Sequence, residues 1–95
     1  MSQQEKRGAH VLVVDDDPAT RACMEYLCSH EGYAVTVAAD GREALAAAAR
    51  QTFQLAFLDL RLPDTDGTEL IVPLREKCPD MGVVIFTGHA SIESA

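Results

Sequence analysis

Four short apolar runs, alternating with segments of helical character, constrain the fold of this chain more than any other feature. They are His10–Val14, Ala34–Ala38, Leu55–Leu58 and Val83–Phe86. The first, third and fourth are almost continuously apolar, which is how strands covered on both faces of a parallel sheet read. The second, AVTVA, is milder and suits an edge. Between the runs lie helix signals. Asp17-Pro18 offers an N-cap followed by proline in the first turn, and Gly32 ends that helix. Cys23, Met24, Leu27 and Cys28 form its expected inward stripe. Asp40 and Asp66 each stand three residues before a glutamate, Glu43 and Glu69, in a variant of the capping box. The alanine-rich run Ala44–Ala49 reads as a helix packed close to a sheet. Pro73, about two turns into the third helix, removes a backbone donor and predicts a kink. The order β-α-β-α-β-α-β with helix-length connections implies a doubly wound parallel sheet with helices on both faces. In the common strand order 2-1-3-4, ligands bind at the carboxyl ends of the strands beside the switch point between strands 1 and 3.

That edge is where the sequence concentrates its charge. The first run leads straight into Asp15, Asp16 and Asp17, the third into Asp59, and the fourth into Thr87. Two like charges about 4 Å apart repel by roughly 4 kcal/mol at an effective dielectric near 20, so the cluster opposes folding unless a cation offsets it. An all-oxygen site of this kind suits a hard divalent ion such as Mg²⁺. That ion takes one or two carboxylates plus phosphate oxygens, so the site also implies a phosphoryl group. Asp17 reads instead as the helix cap. Asp59 is followed by LRLP, which starts no helix, so capping does not account for it. Asp64 and Asp66 belong to the turn PDTDG, where short polar residues and glycine meet backbone demands.

Composition excludes several classes. With 8 basic against 15 acidic residues the net charge is −7, and only Lys6-Arg7 are adjacent bases, which argues against direct nucleic-acid contact. No apolar run reaches the ~20 residues of a membrane span, and the polar start MSQQEKRG has no signal-peptide core, so the chain reads as cytoplasmic. Three cysteines, Cys23, Cys28 and Cys78, without a Cys-x-x-Cys pair read as reduced, packed thiols. His10 and His30 have no partners that suggest catalysis and read as structural.

The motifs VLVVDDDP, FLDLRLPDTDG and VVIFTGHAS, in this order and spacing, resemble the receiver domain of two-component response regulators, especially the NtrC-like and hybrid-kinase kind. The resemblance runs from Val11 to Ala95, with residues 1–9 as an N-terminal tail and 10–95 as the domain. It implies a flavodoxin-like fold in which Asp59 accepts a phosphoryl group from a sensor histidine kinase or phosphotransfer protein. It further implies Asp16 as direct Mg²⁺ ligand, Asp15 completing the acid pocket through water, and the Arg61 backbone carbonyl joining Asp59 at the metal. Thr87 would donate its hydroxyl to the phosphoryl group as the switch residue, with Gly88 leaving room behind it. Arg61 and His89 would flank the pocket. Such a chain is not an enzyme but a phosphoacceptor that assists its own phosphorylation and dephosphorylation.

The family continues into a fourth helix, a fifth strand carrying a lysine, and a fifth helix. The chain stops at Ala95, and neither Lys6 nor Lys77 matches that lysine, so the sequence reads as a receiver shortened before its fifth strand, with the output domain outside it. An unpaired strand 4 edge and uncovered apolar side chains on strands 1 and 4 then predict marginal stability or self-association through that edge. Two other readings compete. One is a receiver-like interaction module without phosphorylation. The other is a haloacid-dehalogenase-like phosphatase using Asp15 and Asp17, which would leave Asp59 unexplained.

Overall fold

The computed structural model describes residues 8–86. Its order is β1 (His10–Val14), α1 (Pro18–His30), β2 (Ala34–Ala38), α2 (Gly41–Arg50), β3 (Leu55–Asp59), α3 (Gly67–Lys77) and β4 (Gly82–Phe86). All strand pairs are parallel, in the order β2-β1-β3-β4 expected of a doubly wound sheet. β3 and β4 are each one residue longer than their apolar runs, taking in Asp59 and Gly82. The mild run forms an edge strand, as expected.

Alternation along β1 sends Leu12 and Val14 to one face and Val11 and Val13 to the other. On the first face α2 and α3 bring Ala44, Ala47, Ala48, Leu70 and Leu74 against Leu12, Val14, Ala56, Leu58 and Phe53. Alanines at the contact let α2 approach the sheet closely. Phe53, Leu12, Leu58 and Leu74 are fully buried, each contributing roughly 1.5–3 kcal/mol. On the opposite face α1 lies against β1 and β2.

Local signals act largely as the sequence implies. Asp17 caps α1, accepting from the Ala19 N–H and the Thr20 hydroxyl. Gly32, at φ 98°, closes that helix, with the Gly32 and Tyr33 N–H groups donating to the Ser29 and Cys28 carbonyls. Asp40 accepts from the Glu43 N–H while the Glu43 carboxylate accepts from the Ala39 N–H.

Four expectations are corrected. The α1 stripe is half realised: Met24 and Cys28 are partly buried, whereas Cys23 and Leu27 are exposed because α1 presents them sideways, where no described residue covers them. For the same reason Cys23 is not a packed thiol, although Cys78 is buried and Cys28 partly so. Asp66 makes no side-chain cap at α3; its carbonyl accepts from the Glu69 N–H instead. β1 exposes no apolar side chain, since Val11 and Val13 are fully buried on the α1 face, while Val84 on β4 is 43% exposed. Pro73 lies inside α3, which continues on to Lys77. The carbonyl that loses its donor belongs to exposed Glu69.

Candidate functional site

The strand register builds the site. Val14 pairs with Leu58, so the residues that follow, Asp15 and Asp59, leave adjacent central strands side by side. Asp16 comes one residue later on the same edge. Carboxylate oxygens of Asp15, Asp16 and Asp59 all lie within 4.8 Å of one another. Asp15 and Asp59 are 3% and 1% exposed, whereas Asp16 is open to solvent. At such a separation two ionised carboxylates repel by roughly 3 kcal/mol at an effective dielectric near 20.

Each acid is held differently. Asp15 is fixed at three points: its N–H donates to the Ala38 carbonyl at 3.1 Å, its carbonyl accepts from Arg21 Nη1 at 2.7 Å, and its Oδ1 accepts from the Asp17 N–H at 2.8 Å. Burial pushes its carboxyl above the ordinary range, against the pull of the Asp17 N–H, and the neighbouring charges of Asp59, Asp16 and Asp17 push the same way. Asp59 Oδ1 accepts from the Arg61 N–H at 3.2 Å. Asp59 Oδ2 is buried with no hydrogen-bond partner among the described residues. A buried carboxylate oxygen left without a partner costs free energy, and such an atom calls for a ligand or a reaction to explain it.

β3 ends against α3. The Gly67 N–H donates to the Leu60 carbonyl at 2.7 Å. A Cβ at Gly67 would overlap the Asp59 carbonyl oxygen and sit 3.0 Å from its carbon and 3.1 Å from Leu60 Cα. Only glycine lets the helix start so near the acid. Arg61 bridges to Asp66 across the intervening turn, and its side chain is exposed.

The structure thus brings together Asp15, Asp16 and Asp59, with Arg61 beside them. Thr87, Gly88 and His89 lie outside the described residues. Asp17 is spent on the α1 cap, which removes the second acid of the phosphatase alternative. His10 and His30 lie away from the acids. Two residues escaped the sequence reading. Arg21, which grips the Asp15 carbonyl, was detectable only as a base four residues after the cap. Asp64 accepts from the Gly41 and Arg42 N–H groups of α2 at 2.9 and 3.0 Å, a long-range cap that no local spacing announces.

Three carboxylates that bring hard oxygen donors together, with an unpartnered oxygen on Asp59, fit a small divalent cation. The comparisons agree with the fold. Residues 11–95 match the response regulator receiver domain, and the chain belongs to that family. Similar proteins include the alginate biosynthesis transcriptional regulatory protein AlgB of Pseudomonas aeruginosa, 40% identical over 91 residues that make up 96% of this chain and 20% of that protein. The transcriptional regulatory protein GlrR of Escherichia coli is 38% identical over 94% of this chain and 20% of its own length. The chain therefore spans about a fifth of these curated relatives.

Among solved structures, a response regulator of Burkholderia pseudomallei, crystallised with a phosphorylated aspartic acid, a calcium ion and citrate, superposes with a TM-score of 0.81. It is 34% identical over 92% of this chain and 51% of that one. The response regulator TrrA of Thermotoga maritima, in complex with Mg²⁺ and BeF, gives a TM-score of 0.78 at 30% identity, over 90% of this chain and 75% of that one. No described helix is long and apolar enough to cross a membrane.

Proposed function

We propose that this receiver domain accepts a phosphoryl group on Asp59, taken from the phosphohistidine of a sensor histidine kinase or phosphotransfer protein, in a reaction that requires Mg²⁺. The observation that carries the reading is Asp59 Oδ2, a buried carboxylate oxygen without a hydrogen-bond partner among the described residues, on an aspartate aligned by strand register with Asp15. That oxygen is the nucleophile. Its lone pair forms the new bond to phosphorus in line as the phosphorus–nitrogen bond breaks, and the bonding pair stays on the imidazole nitrogen.

The protein's own groups prepare that step. The Arg61 N–H holds Asp59 Oδ1 and leaves Oδ2 without a hydrogen bond among the described residues. Arg21 and the Asp17 N–H fix Asp15, so the acids are positioned before any ligand arrives. Asp16 and Asp59, with Asp15 acting through water and the Arg61 carbonyl, would hold Mg²⁺. When bound, that ion neutralises the acids and the charge spread over the phosphoryl oxygens. Thr87 is proposed to donate its hydroxyl to a phosphoryl oxygen, drawing in the segment after β4 and so switching the domain. The chain is a phosphoacceptor rather than an enzyme with a separate substrate, and it works in the cytoplasm.

The calcium and phosphorylated aspartic acid of the Burkholderia pseudomallei protein and the Mg²⁺–BeF complex of the Thermotoga maritima protein support the same chemistry here. Both curated relatives are transcriptional regulators, which supports an output domain in the whole protein. A small phosphodonor with Mg²⁺ tests the reading: Asp59 should be modified, and Asp59→Asn should not. An interaction module without phosphorylation would show no transfer in either chain.

A further inference from the structure

The turn between β3 and α3 bears the Arg61 carbonyl, yet most of its hydrogen bonds stay at home. Leu62 N–H donates to the Thr65 carbonyl at 3.1 Å, Gly67 N–H to the Leu60 carbonyl at 2.7 Å, and Arg61 pairs with Asp66. Among the described residues, the hydrogen bonds that join residues 61–66 to a distant part of the chain are the two accepted by Asp64 from Gly41 and Arg42. Both carboxylate oxygens are used, one for each of two successive N–H groups at the α2 N-terminus. These bonds hold the Asp64 carboxyl below the ordinary carboxylate range, the Gly41 N–H contributing most.

Packing backs the same contact. A Cβ at Gly41 would come 2.7 Å from Thr65 Cγ2, 3.2 Å from Leu70 Cδ2 and 3.3 Å from Asp64 Oδ1. The turn's side chains therefore sit directly on the first residue of α2, and a side chain there would press on Thr65 and on the Asp64 carboxylate that makes the tie. α2 has its own local cap in Asp40, which accepts from the Glu43 N–H at 2.8 Å. Asp64 is thus not needed to start the helix. Its bonds anchor the turn.

We infer that Asp64 is a positioning residue for the metal site: by tying the β3–α3 turn to α2 it fixes the Arg61 carbonyl, and Mg²⁺ affinity depends on that tie. The inference rests on the metal reading above, and its test separates the two. Asp64→Ala, Asp64→Asn, Gly41→Ala and the control Asp40→Ala are compared. The control removes a cap from the same helix without touching the turn.

In the metal-free chain, amide hydrogen exchange at Leu62, Gly41 and Arg42 should speed up in Asp64→Ala, and at Leu62 in Gly41→Ala. Asp40→Ala should affect Glu43 and leave Leu62 as in wild type. Mg²⁺ affinity, read from the rise in melting temperature with Mg²⁺ concentration, should fall by about tenfold in Asp64→Ala, as loss of a supporting partner does at metal sites. Asp64→Asn keeps one acceptor oxygen and should fall between. Asp40→Ala should match wild type. Equal Leu62 exchange in Asp64→Ala and Asp40→Ala would overturn the tie, whatever the metal result. Wild-type Mg²⁺ affinity in Asp64→Ala, with Leu62 loosened, would overturn the link to the site. A wild-type chain that ignores Mg²⁺ would sink the metal reading, and with it any dependence of metal affinity on Asp64.

Discussion

Replacing Gly67 with alanine sets two physical arguments against each other. By helix propensity the change should help, since alanine is favoured over glycine by up to about 1 kcal/mol in a helix. The structure says otherwise. The added methyl group would overlap the Asp59 carbonyl oxygen and crowd its carbon at 3.0 Å and Leu60 Cα at 3.1 Å. These are backbone atoms of a buried strand end and the residue after it, so no side-chain rotation relieves the clash. Overpacking of this kind costs about 1–3 kcal/mol, and a clash with fixed backbone falls in the upper part of that range, so about 2 kcal/mol of net destabilisation remains after the propensity gain. For a domain of this size that lowers the melting temperature by about 4–8 °C per kcal/mol. Because the strand end must shift, Asp59 should also accept phosphoryl more slowly. Denaturant unfolding with a matched phosphorylation time course reads both effects. Gly82→Ala is the control, since its Cβ would meet Leu55 Cδ1 at an ordinary 3.4 Å. A Gly67→Ala chain as stable as wild type, with unchanged phosphorylation, would refute the reasoning.

Mg²⁺ should raise the melting temperature by mass action, by about 2.7 kcal/mol of stability at a concentration 100 times the dissociation constant. Asp16→Asn should weaken that response more than Asp17→Asn, because Asp17 is engaged at the α1 cap. The Asp15 carboxyl titrates above its ordinary 3.8 in the folded chain, so between that value and the raised one the folded state holds more proton than the unfolded. Stability from this group is therefore lost as pH rises through the window. Metal-free Asp15→Asn should gain on wild type across it in paired urea titrations, and a constant difference would count against the charge argument. Arg21→Gln should slow phosphorylation of Asp59 by loosening the Asp15 carbonyl, while Arg50→Gln, at the far end of α2, should not; time courses at saturating Mg²⁺ compare them.

Sheet and site were readable to the degree that local pattern determines them. Apolar runs located all the described strands, and counting one residue past the first and third runs was enough to find Asp15 and Asp59, because parallel register carries neighbouring strands to the same edge. Long-range partners were not readable. Asp64 looked like an ordinary turn residue, since its donors lie 22 and 23 residues away. The α1 stripe failed for a related reason. Apolar residues at 23, 24, 27 and 28 mark a broad face, but packing decides which half of it meets the sheet, and here Met24 and Cys28 do. Asp66 had the spacing of a cap, but the backbone of its turn was already committed to the bridge with Arg61.

The central claim is that Asp59 is the phosphoacceptor. Intact-mass measurement of the chain after incubation with a small phosphodonor and Mg²⁺, followed by peptide mapping, tests it most directly. The account predicts a single added phosphoryl group on Asp59, dependent on Mg²⁺ and absent from Asp59→Asn. Labelling of Asp59→Asn at the wild-type level, or a modification mapped to Asp15, Asp16 or Asp17, would contradict it.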